Sequence, residues 1–320
     1  MHLITDLSAS PWPPAADGRA QRSVVTIGAY DGVHLGHQAI IEEVRRVAAG
    51  LQARSVVITF DRHPASIVRP ESAPQQLTDL EQKLELLDAT GIDATVLVHF
   101  DAEQSHESPR SFVERVLVTC LAARRIVVGD DFHFGSHREG NVALLRDLGA
   151  LYDFEVEPLE LVPRSDGVDE PLSSTAIRRA LAGGEVELAA RMLGRPCQAR
   201  GVVMRGDQRG RLLGFPTANV QVPSSVCLPA DGVYAGWYIR PDGVRHPCAI
   251  NLGRRPTFYE HADHSILEAH LLDFSDDLYG EPARVEFTHF LRSERKFDGI
   301  EALRGQLQHD IDHARSMLVA

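Results

Sequence analysis

Two histidines three residues apart, His34 and His37, lie in a short run with Gly28, Gly32 and Gly36 that directly follows the β-branched stretch Val24-Val25-Thr26-Ile27. A glycine loop leading from a strand into a helix is where phosphate oxygens meet unpaired backbone N–H groups. Gly32 and Gly36 allow close backbone approach, and the histidines can donate to charge that develops in a transition state. Asp31 falls in the turn itself, where it shapes the loop or orients a ligand. A second run, Gly206 to Asn219, holds Gly206, Gly210 and Gly214 with Arg209, and closes on Pro216-Thr217-Ala218-Asn219. It lacks the spacing of a nucleoside-triphosphate P-loop. Between the two runs, Ser173, Ser174 and Thr175 precede Arg178, which reads as a helix start with hydroxyls and one guanidinium on offer. Glu268, set among Ile266, Leu267 and Leu271, is a carboxylate on an apolar strand, where its context alone reads as an outward-facing solvated side chain.

Elements that could position these groups follow from periodicity. Residues 1–22 are rich in Pro, Ala and polar groups and are expected to form a loose arm. From Ser23, four strand-like runs (24–27, 55–60, 94–98 and 126–128) alternate with helical ones. Ile40, Ile41, Val44 and Val47 mark one helix face, Leu80, Leu84 and Leu87 another, and Ser108-Pro109 opens a third helix. Such alternation implies right-handed crossovers and a Rossmann-like α/β domain with a parallel sheet. Two short helices, 174–181 and 185–193, flank Gly183-Gly184. Beyond them, strands at 201–204, 233–239, 246–251, 265–272 and 284–291 and a closing helix at 298–317 predict a compact antiparallel β-barrel. The expected division is an arm at 1–22, an α/β domain at 23–184 and a barrel domain at 185–320.

Composition narrows the class. The 320 residues are 43% apolar and 24% charged, proportions of a globular protein large enough for two cores. A net charge of −12 disfavours nucleic acid or an anionic membrane as partner, so any polyanionic ligand must be held by local groups. The four cysteines stand far apart with no C-x-x-C pair, which suggests reduced thiols rather than a zinc ribbon or disulfide framework. His261 and His264 lack an accompanying ligand pattern and read as surface residues. With no signal-peptide pattern and no membrane-length apolar run, a cytoplasmic location is expected.

The motifs as a set resemble the bacterial bifunctional riboflavin kinase/FMN adenylyltransferase family. Gly28–His37 is similar to its GxFDGVHxGH loop, with Tyr30 in place of Phe. Phe60-Asp61-Arg62-His63-Pro64 resembles FDPHP, with Arg62 in place of proline, and Leu77-Thr78 and Lys83 fit the helix that follows. Val128–Gly135 is similar to VGxDFxFG, and Ser173–Arg178 to SSTxIR. In the second half, Gly206–Asn219 resembles GxxRGxxLGFPTAN, Asn251–Phe258 NxGxRPTF, Leu267–Phe274 VExHLLDF, and Leu291–Phe297 LRxExKF.

The resemblance implies two activities. The second half would phosphorylate riboflavin with ATP, using Glu268 as base, Thr217 and Asn219 as Mg²⁺ ligands, and Gly206, Arg209, Gly210 and Gly214 over the phosphates. Asn251, Arg292 and Phe297 would contact the flavin. The first half would adenylylate FMN, with His34, His37, Ser173, Ser174, Thr175 and Arg178 on the ATP phosphates and Asp130, Asp131 and Phe132 near the flavin. Partners would then be riboflavin, FMN and ATP. Two other readings are a transferase with a different acceptor and a flavin-binding or regulatory paralogue with one weakened site.

Overall fold

The computed structural model describes residues 1–13, 21–164, 166–206, 209–253 and 266–318. These fall into two units, Met1–Pro74 with Leu80–Ser173, and Gln75–Asp79 with Ser174–Ala320.

The first unit is built on a six-stranded parallel sheet in the order β1-β4-β3-β2-β5-β8, from β1 (His2–Ile4), β2 (Ser23–Ile27), β3 (Arg54–Phe60), β4 (Ala94–Val98), β5 (Ala123–Gly129) and β8 (Glu155–Leu159). A two-stranded ribbon, β6 (His133–Phe134) and β7 (Gly140–Asn141), follows β5. Every residue of β2 is buried, as expected of a parallel strand covered on both faces. Val25, Ile27, Val56, Ile58, Ile126 and Val128 pack on one side with Val113, Leu117 and Leu145. On the other side, Val24, Val57 and Val127 meet Ile41, Val44 and Val47 of the helix Leu35–Leu51. The chain leaves β2 for β3 and β4 on one flank, and β5 and β8 lie on the other. The crevice at the carboxyl ends of β2 and β5 is therefore the topological switch point, where ligands of open α/β sheets bind.

Two sequence expectations are corrected here. His2–Ile4 is not part of a loose arm: it pairs in parallel with Ala94–Val96, and Ile4 enters the core. The sheet has six strands rather than four, because three-residue β1 and half-exposed β8 carry little apolar signal of their own.

The second unit is a closed antiparallel barrel, β10-β13-β12-β11-β14-β9. Its strands are β9 (Cys197–Met204), β10 (Ala218–Gln221), β11 (Gly232–Ile239), β12 (Arg245–Gly253), β13 (Ile266–Leu271) and β14 (Pro282–Arg292). Tyr234, Tyr238, Ile250, Leu252, Leu267 and Phe287 are fully buried and fill the interior. Residues of the opposite parity, such as Ala235 and Ala249, face outward and pack with Ile311 and Ala314 of the closing helix Ile300–Leu318. The division between units falls after Ser173 rather than after residue 184. The helices Ser174–Ala182 and Val186–Leu193 bury Ile177, Leu181, Val186 and Met192, and Leu181 accepts from the Ala230 N–H at 2.8 Å, which ties them to the barrel. Gln75–Asp79 joins this unit through Gln76, which donates to the Ser225 carbonyl and accepts from the Cys227 N–H, each at 2.7 Å.

Candidate active sites

In the first unit, the loop after β2 is tightly constrained. Tyr30, Gly32 and Val33 all have positive φ (50°, 82° and 39°), a conformation that is strained for a β-branched valine and marks a loop held by its surroundings. His34 is the N-cap of the helix Leu35–Leu51, and its Nδ1 accepts from the His37 backbone N–H at 3.3 Å. An accepting Nδ1 assigns the ring proton to Nε2. The rings of His34 and His37 stack at 3.6 Å, and Tyr30 lies against His37 at 4.8 Å with its hydroxyl bonded to Thr26 at 2.7 Å. Tyrosine in place of the family's phenylalanine is thereby satisfied inside the core. Burial, then the neighbouring His34 and Lys83, hold the His37 imidazole well below its ordinary pKa, so it is neutral at pH 7.

Asp31 is buried in the same loop, and a side chain at Gly36 would come within 3.2 Å of the His34 ring. Beyond β5, Asp130 and Asp131 are exposed, while Phe132 stacks on Phe134 at 5.5 Å. His63 caps a turn, accepting from the Ala65 N–H at 3.1 Å. Ser173 ends the first unit. Ser174, Thr175 and Arg178 open the second, where Arg178 Nε donates to the Gln75 carbonyl at 2.6 Å.

In the barrel, register does what spacing along the chain cannot reveal. Asn219 pairs with Glu268, Glu268 with Asn251, Asn251 with Val233, and Val233 with Arg292. Residues so paired stand side by side on one face of a sheet. This single transverse row, drawn from five strands, lines a cavity of about 400 Å³ on the barrel's outer wall, together with Leu303, Leu307 and Asp310 of the closing helix and Phe297. A second cavity of about 360 Å³, lined by Asp276, Asp277 and Tyr279, shares Thr217 and Asn219 with the first. Both cavities have the size of small-molecule sites.

The glycines of the second run have separate reasons. A Cβ at Gly206 would lie 2.7 Å from the Asn219 amide, one at Gly210 would lie 2.5 Å from the Phe215 carbonyl, and Gly214 has φ +90°. Arg292 forks onto Asp310, with Nε 2.9 Å and a terminal nitrogen 2.6 Å from its carboxylate oxygens. Gln306 also donates to Asp310 at 2.6 Å. Phe297 sits beneath both Arg292 and Arg295. The side chain of Arg209, the segment 254–265 with the rest of the NxGxRPTF motif, and His261 and His264 lie outside the described residues.

Sequence reasoning gave no role at these sites to two of their neighbours. His270 lines the first cavity and its Nδ1 donates to the Pro216 carbonyl at 2.7 Å, while burial lowers its pKa. Lys83 is buried beneath the histidine loop. Its signal was available, since a lysine three residues after Leu80 and four before Leu87 falls on the apolar stripe of its helix.

Among the described residues no group of three His, Cys, Asp or Glu could hold a metal. A hard cation would instead meet the neutral oxygens of Thr217 and Asn219 where the cavities join, a donor set that suits Mg²⁺ completed by substrate phosphates and water. No described helix is long and apolar enough to cross a membrane.

A glycine–histidine loop at the switch point of a parallel sheet, and a barrel whose paired cavities meet at a Thr/Asn wall beside a carboxylate, give a chain with two candidate transferase sites. The FAD synthetase family model matches residues 17–176 and the riboflavin kinase model residues 193–318. The chain is 36% identical to the bifunctional riboflavin kinase/FMN adenylyltransferase of Haemophilus influenzae, over 92% of this chain and 94% of that one. It is 39% identical to the enzyme of the same name from Pseudomonas fluorescens, over 92% of each. The crystal structure of a macrolide-efflux protein from Streptococcus pneumoniae superposes with a TM-score of 0.84 at 28% identity, covering 98% of both chains. The chain belongs to the bifunctional riboflavin kinase/FMN adenylyltransferase family. With both halves matched, neither the one-site paralogue nor the transferase with another acceptor finds support.

Proposed function

We propose that the barrel phosphorylates riboflavin to FMN and that the parallel-sheet unit converts FMN to FAD, each with ATP. The observation that carries the first assignment is the row Asn219–Glu268–Asn251–Val233–Arg292 along one cavity. Riboflavin occupies that cavity, with Asn251, Arg292 and Phe297 around the flavin, and ATP occupies the neighbouring one, its phosphates under Gly206, Arg209, Gly210 and Gly214. Glu268 takes the proton of the ribityl 5′-hydroxyl as its oxygen attacks the γ-phosphorus. The bond from that phosphorus to the β–γ bridging oxygen breaks and ADP leaves. Mg²⁺, when bound, neutralises charge on the transferring phosphoryl group, and Thr217 and Asn219 would hold it.

In the parallel-sheet unit a phosphate oxygen of FMN attacks the α-phosphorus of ATP, the bond to the α–β bridging oxygen breaks, and pyrophosphate leaves. No enzyme nucleophile is required, so positioning and charge stabilisation supply the rate. His34 donates through Nε2, His37 acts as a neutral donor beside it, and Gly28, Gly32 and Gly36 admit the phosphates to the helix N-terminus. Asp31 orients the loop, and Asp130, Asp131 and Phe132 face the flavin. Ser173, Ser174, Thr175 and Arg178 are assigned to the ATP phosphates on their motif alone. The acidic chain and its diffusible substrates suit a cytoplasmic enzyme without nucleic-acid or membrane partners.

Incubating the purified chain with riboflavin, ATP and Mg²⁺ and separating the flavins tests the reading. FMN and FAD are both expected, and the absence of either product would remove the corresponding half.

A further inference from the structure

The mechanism above leaves the buried Lys83 unused. Lys83, on the helix Leu80–Ala89, is 8% exposed, although an ammonium out of water is costly unless its N–H groups and charge are matched. Its Nζ donates to the Phe60 carbonyl at 2.6 Å, at the carboxyl end of β3, and lies 3.4 Å from the Ala29 carbonyl in the loop after β2. Thr59 Oγ1 donates to the same Ala29 oxygen at 3.0 Å. Asp31 and Asp61 supply opposite charge from those two loops, but burial outweighs them and pushes the Lys83 pKa down to about 8. At neutral pH the group is charged, and it helps keep His37 neutral.

We propose that Lys83 is a positioning residue for adenylyl transfer, clamping Ala29 at the root of the histidine loop to Phe60 at the end of the adjacent strand. The inference rests on reading this loop as the adenylyl-transfer site. Two features separate it from a packing role. Ala29 immediately precedes Tyr30, the first of the positive-φ residues that lead to His34, so the clamp acts where the loop conformation begins. A neutral side chain could satisfy two carbonyls as well, but only a cation also acts on the imidazole. The charged and titratable groups that act with it are Asp31 and His37 on the β2 side and Asp61 on the β3 side, and Asp61 is itself bonded to His99 and paired with Arg62.

The test uses the full chain, whose kinase activity is an internal control. FAD formation from supplied FMN and FMN formation from riboflavin are measured for wild type, Lys83→Met and Lys83→Arg between pH 6 and 9.5. Lys83→Met is expected to lose roughly 100-fold in the kcat of FAD formation. Its KM values should stay within about threefold, the mark of an effect on the chemical step. Lys83→Arg, which keeps the charge, recovers most of the rate. Wild-type kcat falls above about pH 8 as the ammonium loses its proton, and the arginine variant lacks that fall. Kinase rates remain at wild-type level throughout. Unchanged kcat in Lys83→Met, a loss confined to KM, or the same alkaline fall in Lys83→Arg would overturn the proposal. Should the methionine variant fail to fold, the comparison of arginine variant with wild type decides alone. A wild-type chain that makes no FAD would refute the parent reading instead.

Discussion

Replacing Glu268 by Gln keeps shape and volume and removes only the ability to accept a proton. Its partners in the row are Asn219 and Asn251, amides that cannot act as bases near neutral pH. General-base catalysis contributes about 10²- to 10⁴-fold, or about 3–5.5 kcal/mol of activation free energy. With amides on both sides, the loss of kcat in FMN formation should lie toward the upper end. One rival exists: His270 lines the same cavity, and because its Nδ1–H is committed to Pro216, its Nε2 carries a lone pair. The assay is FMN formation from riboflavin in Glu268→Gln, with FAD formation from supplied FMN in the same sample as the control. A kinase loss below about tenfold would refute the base assignment. Disappearance of that residual rate in Glu268→Gln/His270→Gln would transfer the role to His270.

Asp310→Asn keeps one acceptor but strips the charge that holds Arg292 to the closing helix and accepts from Gln306 one turn earlier on that helix. Because Asp310 is buried, about 2–3 kcal/mol of stability should go. Calorimetry should show the barrel transition falling by several degrees, with a raised KM for riboflavin. Gly206→Ala puts a methyl group 2.7 Å from the Asn219 amide, and titration of kinase activity with Mg²⁺ should show half-saturation moved to higher Mg²⁺ at unchanged FAD formation from FMN. For pH, the His37 pKa lies below its unfolded value of 6.5, so the unfolded chain binds more protons between the two. The His37 contribution to the stability of the parallel-sheet unit is then complete above pH 6.5 and is lost as pH drops below it, a slope that His37→Asn should reduce in denaturant titrations.

The parallel sheet was legible because strands such as Val24–Ile27 and Ser55–Phe60 are continuous apolar runs, and because the helices between them carry clear stripes. Local signals failed where pairing is long-range. His2–Ile4 is a strand only because β4, some ninety residues later, supplies a partner. Ala218–Gln221 read as the tail of a glycine loop, yet it is the strand that brings Asn219 beside Glu268. The motif match named Asn219, Glu268, Asn251 and Arg292 individually, but only register shows them as neighbours. Lys83 was visible as a charge on an apolar stripe, and its two carbonyl partners, fifty-four and twenty-three residues upstream, were not.

The barrel's closure has a consequence for how this site tolerates change. In an open sheet, a strand can slide by one residue and turn its alternate side chains to the other face. Here each of the six strands is pinned on both sides, so a slip in one would have to travel around the whole ring. Substitutions among the interior residues Tyr234, Ile250, Leu267 and Phe287 can therefore loosen the barrel without sending Glu268 inward. Alignment of base, amides and guanidinium is a property of the closed ring, and drift in the core is absorbed as lost stability before it becomes lost chemistry.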